Sequence, residues 1–164
     1  MNVCGDQARV KPARMRGGAW TPDGMCAERV VAALARRQGV VSDLLPAIAT
    51  GFCGGVSRRG GMCGAVSGAV MAISLVGGRR EATNSQEGTS AAVQELVDGF
   101  VKEFGSINCP ELIGVDLGTN EGRAEFRARG PIARCRGFAC RAAQTAAEIV
   151  DRAFADQPKP SEAH

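Results

Sequence analysis

Histidine and aromatic residues are nearly missing from this 164-residue chain: there is no tyrosine, one tryptophan (Trp20), 4% aromatic content in all, and a single histidine, His164. With one imidazole, a Cys/His zinc site, a Ser-His-Asp triad and imidazole acid–base chemistry lack their residues. No CxxC pair occurs, which removes a thioredoxin-like motif and a zinc ribbon, and no CxxCH occurs, which removes covalent c-type haem. Long apolar runs are also missing. The most apolar stretch, "AVSGAVMAISLVGG" at 65–78, falls short of the roughly 20 residues of a membrane span and reads as a buried helix. The first residues, "MNVCGDQARVKPARMRGG", are basic without an apolar core, so neither a secretory signal nor a lipoprotein signal before Cys4 is expected, and the expected location is cytoplasmic. A net charge of +3, with arginines scattered among acidic residues and no interleaved aromatics, speaks against a nucleic-acid surface. "GFCGGVSRRGG" has the look of a phosphate loop, but it lacks the Lys-Ser/Thr ending and follows no strand.

What the chain does have is cysteine and glycine, seven of one and 22 of the other, within a normal apolar content of 45%. One domain is expected over 23–155, with a flexible arm at 1–22 and a disordered tail at 156–164. In "DGMCAERVVAALARRQG", Ala27, Val30, Val31 and Leu34 recur at helical spacing, Asp23 can cap the start and Gly39 follows the basic end. "SDLLPAIATGF" reads as a short helix with Pro46 near its first turn, and 51–61 reads as a glycine loop. A small-residue helix follows from about Cys63 to Val76. Val93, Leu96, Val97, Phe100, Val101 and Phe104 make the apolar face of the next helix, closed by Gly105. Cys109-Pro110 suits the start of a short helix, 118–129 is charged and irregular, and a last helix from Pro131 carries Cys135, Phe138, Ala142, Ala146 and Ile149 on one face. No convincing strand is present. The expected fold is all-α, a compact bundle of about four to five helices with a Gly-rich loop before a small-residue central helix.

Cys26, Cys63 and Cys109 fall at predicted helix starts, and Cys135 in the first turns of the last helix. The amides and partial positive charge of a helix N-terminus favour a thiolate, the form that binds metal and reacts with oxidants. The plain alternative is packing, because a core short of aromatics needs small residues and free cysteines are often buried. The glycine run upstream of Cys63 favours a site, since glycine is spent where backbone takes unusual angles or comes close to something. Seven cysteines in a reducing compartment speak against a disulfide framework. Cys135 and Cys140, five apart on one helix, are poor partners for each other.

The stretches "CAERVVAALA", "IATGFCGGVSRRGGMCGAVSGAVMAISLVGG", "VDGFVKEFGSINCPELIGVDL" and "CRGFACRAA" resemble, in that order, the C_GCAxxG_C_C family of cysteine-rich redox-active proteins, whose CGAxxG motif is "CGAVSG" at 63–68. The likeness covers about 24–152 and places the four family cysteines at Cys26, Cys63, Cys109 and Cys135, with the motif glycines Gly64 and Gly68 expected beside them in the cofactor site. It implies an all-α fold distantly related to split-Soret cytochrome c and a redox or metal-binding role. It also implies an association with transporters and an unknown redox partner. Cys4, Cys53 and Cys140 are additions to the pattern, and no haem is expected. The leading expectation is therefore electron transfer through an iron–sulfur cluster or metal ion held by Cys26, Cys63, Cys109 and Cys135, with Cys53 a candidate extra ligand; zinc, or no metal, are the alternatives. A second expectation is a metal-free thiol/disulfide mechanism in which a low-pKa Cys63 is oxidised and resolved by Cys26 or Cys53. A third is a helical interaction module supporting a transporter. Flat small-residue helix faces and the cytochrome relative point to a homodimer.

Overall fold

The computed structural model describes residues 14–15, 18–19, 26–40, 42, 44–130 and 132–156. The rest of the arm read at 1–22, the cap proposed at Asp23, and the tail read at 156–164 beyond Asp156 lie outside the described residues. Two short strands, β1 (Arg14–Met15) and β2 (Gly18–Ala19), pair antiparallel with Arg14 opposite Ala19. The elements described after them are helices: α1 (Cys26–Arg37), α2 (Leu44–Thr50), α3 (Cys53–Val56), α4 (Gly64–Gly77), α5 (Glu87–Phe104), α6 (Cys109–Ile113), α7 (Asn120–Arg129) and α8 (Ile132–Ala153). The fold is all-α, with more helical segments than the spacing of apolar residues indicates.

α4 is the centre. Gly64, Ala65, Val66, Ser67, Gly68, Ala69, Ala72, Ile73 and Val76 are buried along it, so nearly its whole circumference faces protein, and α1, α5 and α8 pack around it. Small side chains make this possible, because each neighbour needs room against the same short cylinder. On α1 the predicted stripe is buried: Ala27, Val30, Val31 and Leu34 are each at most 2% exposed. α8 buries Phe138, Ala139, Ala142, Ala143, Ala146, Ile149 and Val150. Three of the few aromatic rings join α5 to α8: Phe138 meets Phe100 and Phe104 edge to face at centroid distances of 6.0 and 5.0 Å, and Phe100 and Phe104 are tilted against each other at 4.6 Å. The buried face of α5 is Ala92, Leu96 and Phe100. Val101, read as part of that face, is 40% exposed, because the four-residue rhythm from 92 to 100 turns position 101 outward. The ion pairs Arg141–Glu103 and Arg152–Glu95 tie α8 to α5 at the surface, where such pairs add little.

Two other readings are corrected. Residues 120–129 form a helix and not an irregular segment: the Thr119 hydroxyl accepts from the Gly122 amide at 2.9 Å, Glu121 sits in the first turn and Arg127 and Arg129 in the last. The glycine loop at 51–61 contains α3, described below. Ile73, fully buried in the middle of α4, provides a test of the core. Ile73→Ala is expected to lower unfolding free energy by about 2–5 kcal/mol, read from denaturant midpoints.

Candidate functional site

The glycine segment after α2 winds the wrong way. Gly54, Gly55, Val56, Ser57 and Arg58 all have positive φ, between 51° and 76°, yet the amides of Ser57 and Arg59 still donate four residues back, to the carbonyls of Cys53 (3.1 Å) and Gly55 (3.1 Å). This is one turn of left-handed helix. Glycine takes such angles freely; L-residues do so at about 1–2 kcal/mol each, and a β-branched residue such as Val56 does so rarely. The sequence reading saw that the glycines needed unusual angles but not that the next three residues would continue them.

The turn is held from two sides. The amide of Gly61 donates to Gly55 at 3.0 Å, and a Cβ on Gly55 would lie 2.6 Å from the Cβ of Cys109. After the turn, Met62 pairs with Asn108 in an isolated antiparallel bridge; the Cys63 amide donates to Ile107 at 2.6 Å and the Cys109 amide to Gly61 at 3.0 Å. Cys63, the N-cap of α4, and Cys109, the first residue of α6, are thereby carried side by side. Asn108 and Ser106 both donate to the exposed Glu111 carboxylate, hold it below its ordinary value and fix the start of α6.

Cys26 enters the same region from α1. A Cβ on Gly64 would stand 2.3 Å from the Cys26 sulfur, so the first motif glycine is the space that this sulfur occupies. Cys53, at the start of the left-handed turn, stands close enough to Cys26 for its thiol to serve an ionised Cys26 as a donor. With both thiols neutral, the Cys53 thiol donates to the carbonyl of Ala49 at 3.8 Å. The amides of Gly54, Ala27 and Cys26 itself add to the Cys53 bond, and together these donors outweigh burial and bring Cys26 down to about 6. Cys53 is pushed up, first by serving as that donor and then by burial. The pair therefore loses one proton readily and holds the second.

The other three thiols behave differently. Burial pushes Cys63 up to about 11, although the amides of Ala65 and Val66 at the start of α4 pull the other way. Burial also pushes Cys109 up to about 12 and raises Cys135. Charge adds to each: Cys26 and Cys135 act on Cys63, and Cys63, Cys26 and Cys135 act on Cys109. A helix N-terminus thus does not by itself make Cys63 the reactive thiol, because desolvation wins there. Cys26, Cys53, Cys63, Cys109 and Cys135 are free thiols, whereas Cys140 is disulfide-bonded, against the expectation of an all-thiol chain. Cys4 lies outside the described residues.

The four cysteines expected to share a metal lie in one electrostatic neighbourhood, but among the described residues no group of three or more His, Cys, Asp or Glu side chains is placed to hold a metal ion. As they stand, the sulfurs do not form a ligand shell. Gly68, the second motif glycine, faces the backbone of α1: a Cβ there would be 2.6 Å from the carbonyl oxygen of Ala27. It serves helix approach, its nearest neighbours being Ala27 and Val30. No described helix is long and apolar enough to cross a membrane.

No curated protein and no solved structure matches the chain. The family model described as "Putative redox-active protein (C_GCAxxG_C_C)" matches residues 25–149, which takes in α1 through most of α8 and the five thiols that are free among the described residues. On that span, the chain belongs to the C_GCAxxG_C_C family.

Proposed function

We propose that this redox-active family member works by thiol–disulfide exchange at Cys26 and Cys53. The observation that carries this reading is the placement of Cys53 beside Cys26, where its thiol can donate to the Cys26 thiolate. It provides in one contact what the chemistry requires: a sulfur kept as thiolate at neutral pH and a second sulfur beside it. In the reaction, the Cys26 thiolate attacks one sulfur of a partner disulfide and the partner's other sulfur leaves as thiolate. Cys53 then gives up its proton, attacks Cys26 and releases the partner's second sulfur as a thiol. Two electrons pass to the partner and a Cys26–Cys53 disulfide remains. The amides of Gly54 and Ala27 hold the attacking thiolate in place.

A second reading, a metal ion or iron–sulfur cluster on Cys26, Cys63, Cys109 and Cys135, has one observation in its favour: the charge of Cys26 raises the proton affinity of Cys63, Cys109 and Cys135, and a shared cation would relieve it. It requires the sulfurs to draw in from where they stand. Kinship with split-Soret cytochrome c, a cytoplasmic location, a homodimer and a transporter partner rest on the resemblance and composition alone.

Protein purified without oxygen separates the two. Under the thiol reading, iron, zinc and acid-labile sulfide are each well below one per chain, and oxidation by a small disulfide yields a Cys26–Cys53 linkage in peptide mapping. Stoichiometric metal with Cys26 shielded from alkylation, or a disulfide joining other cysteines instead, overturns it.

A further inference from the structure

Five large apolar side chains stand exposed among the described residues, and four of them fall within one short segment: Leu44 (68%), Ile48 (54%), Phe52 (39%) and Val56 (41%). They recur every four residues through α2 and into the left-handed turn, and Cys53, partner of the reactive thiol, sits among them. Leu44 and Ile48 share one face of α2, since residues four apart on a helix are neighbours. The fifth, Val101, is on α5. Apolar side chains scattered singly need no explanation; a cluster of this kind around a redox pair does.

Two further observations say what covers it. Arg58 and Arg59 follow Val56 directly, are exposed, and join no ion pair among the described residues. The nearby acidic side chain, Glu28, is already engaged, accepting from the Thr50 hydroxyl at 2.6 Å. The face is thus apolar with a cationic end. Moreover, Val56, Ser57 and Arg58 hold unfavourable left-handed backbone, which persists where surrounding contacts enforce it and is concentrated at functional sites. Here the enforcing contacts run to Gly61 and Cys109, and the turn they maintain both aims the Gly54 amide at Cys26 and presents Val56 to solvent.

We infer that Leu44, Ile48, Phe52 and Val56, with Arg58 and Arg59 at one end, dock an extended protein segment bearing apolar and acidic side chains and a disulfide, and deliver that disulfide to Cys26. The inference rests on the thiol-exchange reading and names its partner's chemistry. Apolar contacts hold the segment across α2 and the turn. The two guanidinium groups take up its carboxylates, setting direction and speeding encounter. Atoms balance as before: the Cys26 sulfur bonds to one sulfur of the segment, the other leaves as thiolate, and Cys53 then displaces the bound sulfur with loss of its own proton.

The test uses the reduced full-length chain and short peptides, each carrying one cysteine activated as a thionitrobenzoate mixed disulfide. One peptide has Asp, Leu and Phe flanking the cysteine, one has Lys, Leu and Phe, and one has Ser and Gly; release of thionitrobenzoate gives the rate. The acidic apolar peptide is expected to react about tenfold faster than either of the others at low salt, with the advantage shrinking as salt rises. In the Arg58→Glu, Arg59→Glu double variant the ratio of acidic to basic peptide should invert, and in Ile48→Ser the ratio of acidic apolar to Ser/Gly peptide should fall toward one. These are ratios within one protein, so any change in thiol reactivity common to all disulfides cancels. Equal rates for all three peptides, with Cys26 still consuming the small thionitrobenzoate disulfide, overturn the docking face and leave the exchange reading standing. Failure of Cys26 to react with any disulfide overturns both. A chain that is dimeric by sedimentation and becomes monomeric in Ile48→Ser overturns the peptide assignment, because the face is then covered by a second copy.

Discussion

Alkylation of the reduced protein by iodoacetamide will show one fast thiol at pH 7, and Cys26→Ser will remove it. With Cys26 brought down to about 6 from an ordinary thiol value of 9.0, thiolate is its main form at pH 7, against about 1% for an unperturbed thiol. The fast phase should therefore titrate with a midpoint near 6, and its loss should lower the rate at pH 7 by up to about a hundredfold, less whatever nucleophilicity the lower pKa forfeits. Because the Cys53 hydrogen bond is the largest cause, Cys53→Ala should move the midpoint upward, and Cys53→Ser, whose hydroxyl can still donate, should move it less. An unchanged midpoint in Cys53→Ala would mean that the amides of Gly54 and Ala27 carry the effect alone. The same shifts have a sign in stability. Cys26 binds its proton more weakly when folded, so its contribution is fully present above about pH 9 and is lost as pH falls through about 6. Cys63 and Cys109 bind theirs more tightly, so theirs is present below about pH 9 and is lost as pH rises through about 11 and 12. Cys53 acts in the same direction as those two.

That Cys26 would be the thiol held below its ordinary value could not be read from the chain. Its position at the start of α1 could, because the stripe Ala27, Val30, Val31 and Leu34 fixes the helix, and the basic Arg36-Arg37 end and Gly39 stop it. Cys63 and Cys109 occupy equivalent starts, however, and Cys63 alone lies in the CGAxxG motif. What separates them is tertiary: the Cys53 donor arrives from a segment remote in sequence, and it does so only because the backbone turns left-handed at Gly54 and continues through Val56, Ser57 and Arg58. Local propensity forbids that continuation, so no pattern of spacing announces it. The paired glycines after Cys53 are the one trace it leaves in sequence. α7 was hidden for a different reason. With only Gly122 buried along it, the helix has no apolar periodicity to find and is marked by its Thr119 cap and its charge order alone. The cores of α1, α4 and α8 were legible because small and apolar residues recur there at helical spacing, and the resemblance carried by "CGAVSG" selected the cysteines that the fold brings into one neighbourhood.

Gly68→Ala should be among the most damaging single-methyl changes available to this protein. A Cβ at position 68 would stand 2.6 Å from the Ala27 carbonyl oxygen and 3.0 Å from the Ala27 Cα, and neither is a flexible side chain that can swing aside. α1 and α4 would have to separate along a contact where Ala27, Ala65 and Ala69 are all fully buried. Overpacking of a well-filled core costs about 1–3 kcal/mol and rises when backbone must move; the upper end or beyond is expected here, read as a drop in the urea midpoint. Gly99→Ala on α5 is the opposing control. Nothing lies within 4 Å of its added Cβ, and the lower backbone entropy of alanine should stabilise α5 by about 0.5–1 kcal/mol. Gly64→Ala distinguishes packing from chemistry. Its methyl would meet the Cys26 sulfur at 2.3 Å, with the Ala27 nitrogen and Phe52 oxygen each at 3.2 Å, so the sulfur must leave the place where Cys53 and Gly54 donate to it. The fast thiol of Cys26 should then slow at pH 7, its midpoint rising toward the ordinary thiol value. Gly68→Ala, assayed where it remains folded, should alter that midpoint less than Gly64→Ala does. If the two variants lose stability and thiol reactivity in the same proportion, both motif glycines serve helix approach alone. If only Gly64→Ala shifts the midpoint, the first motif glycine is the socket of the reactive sulfur and the second is the hinge point of two helices.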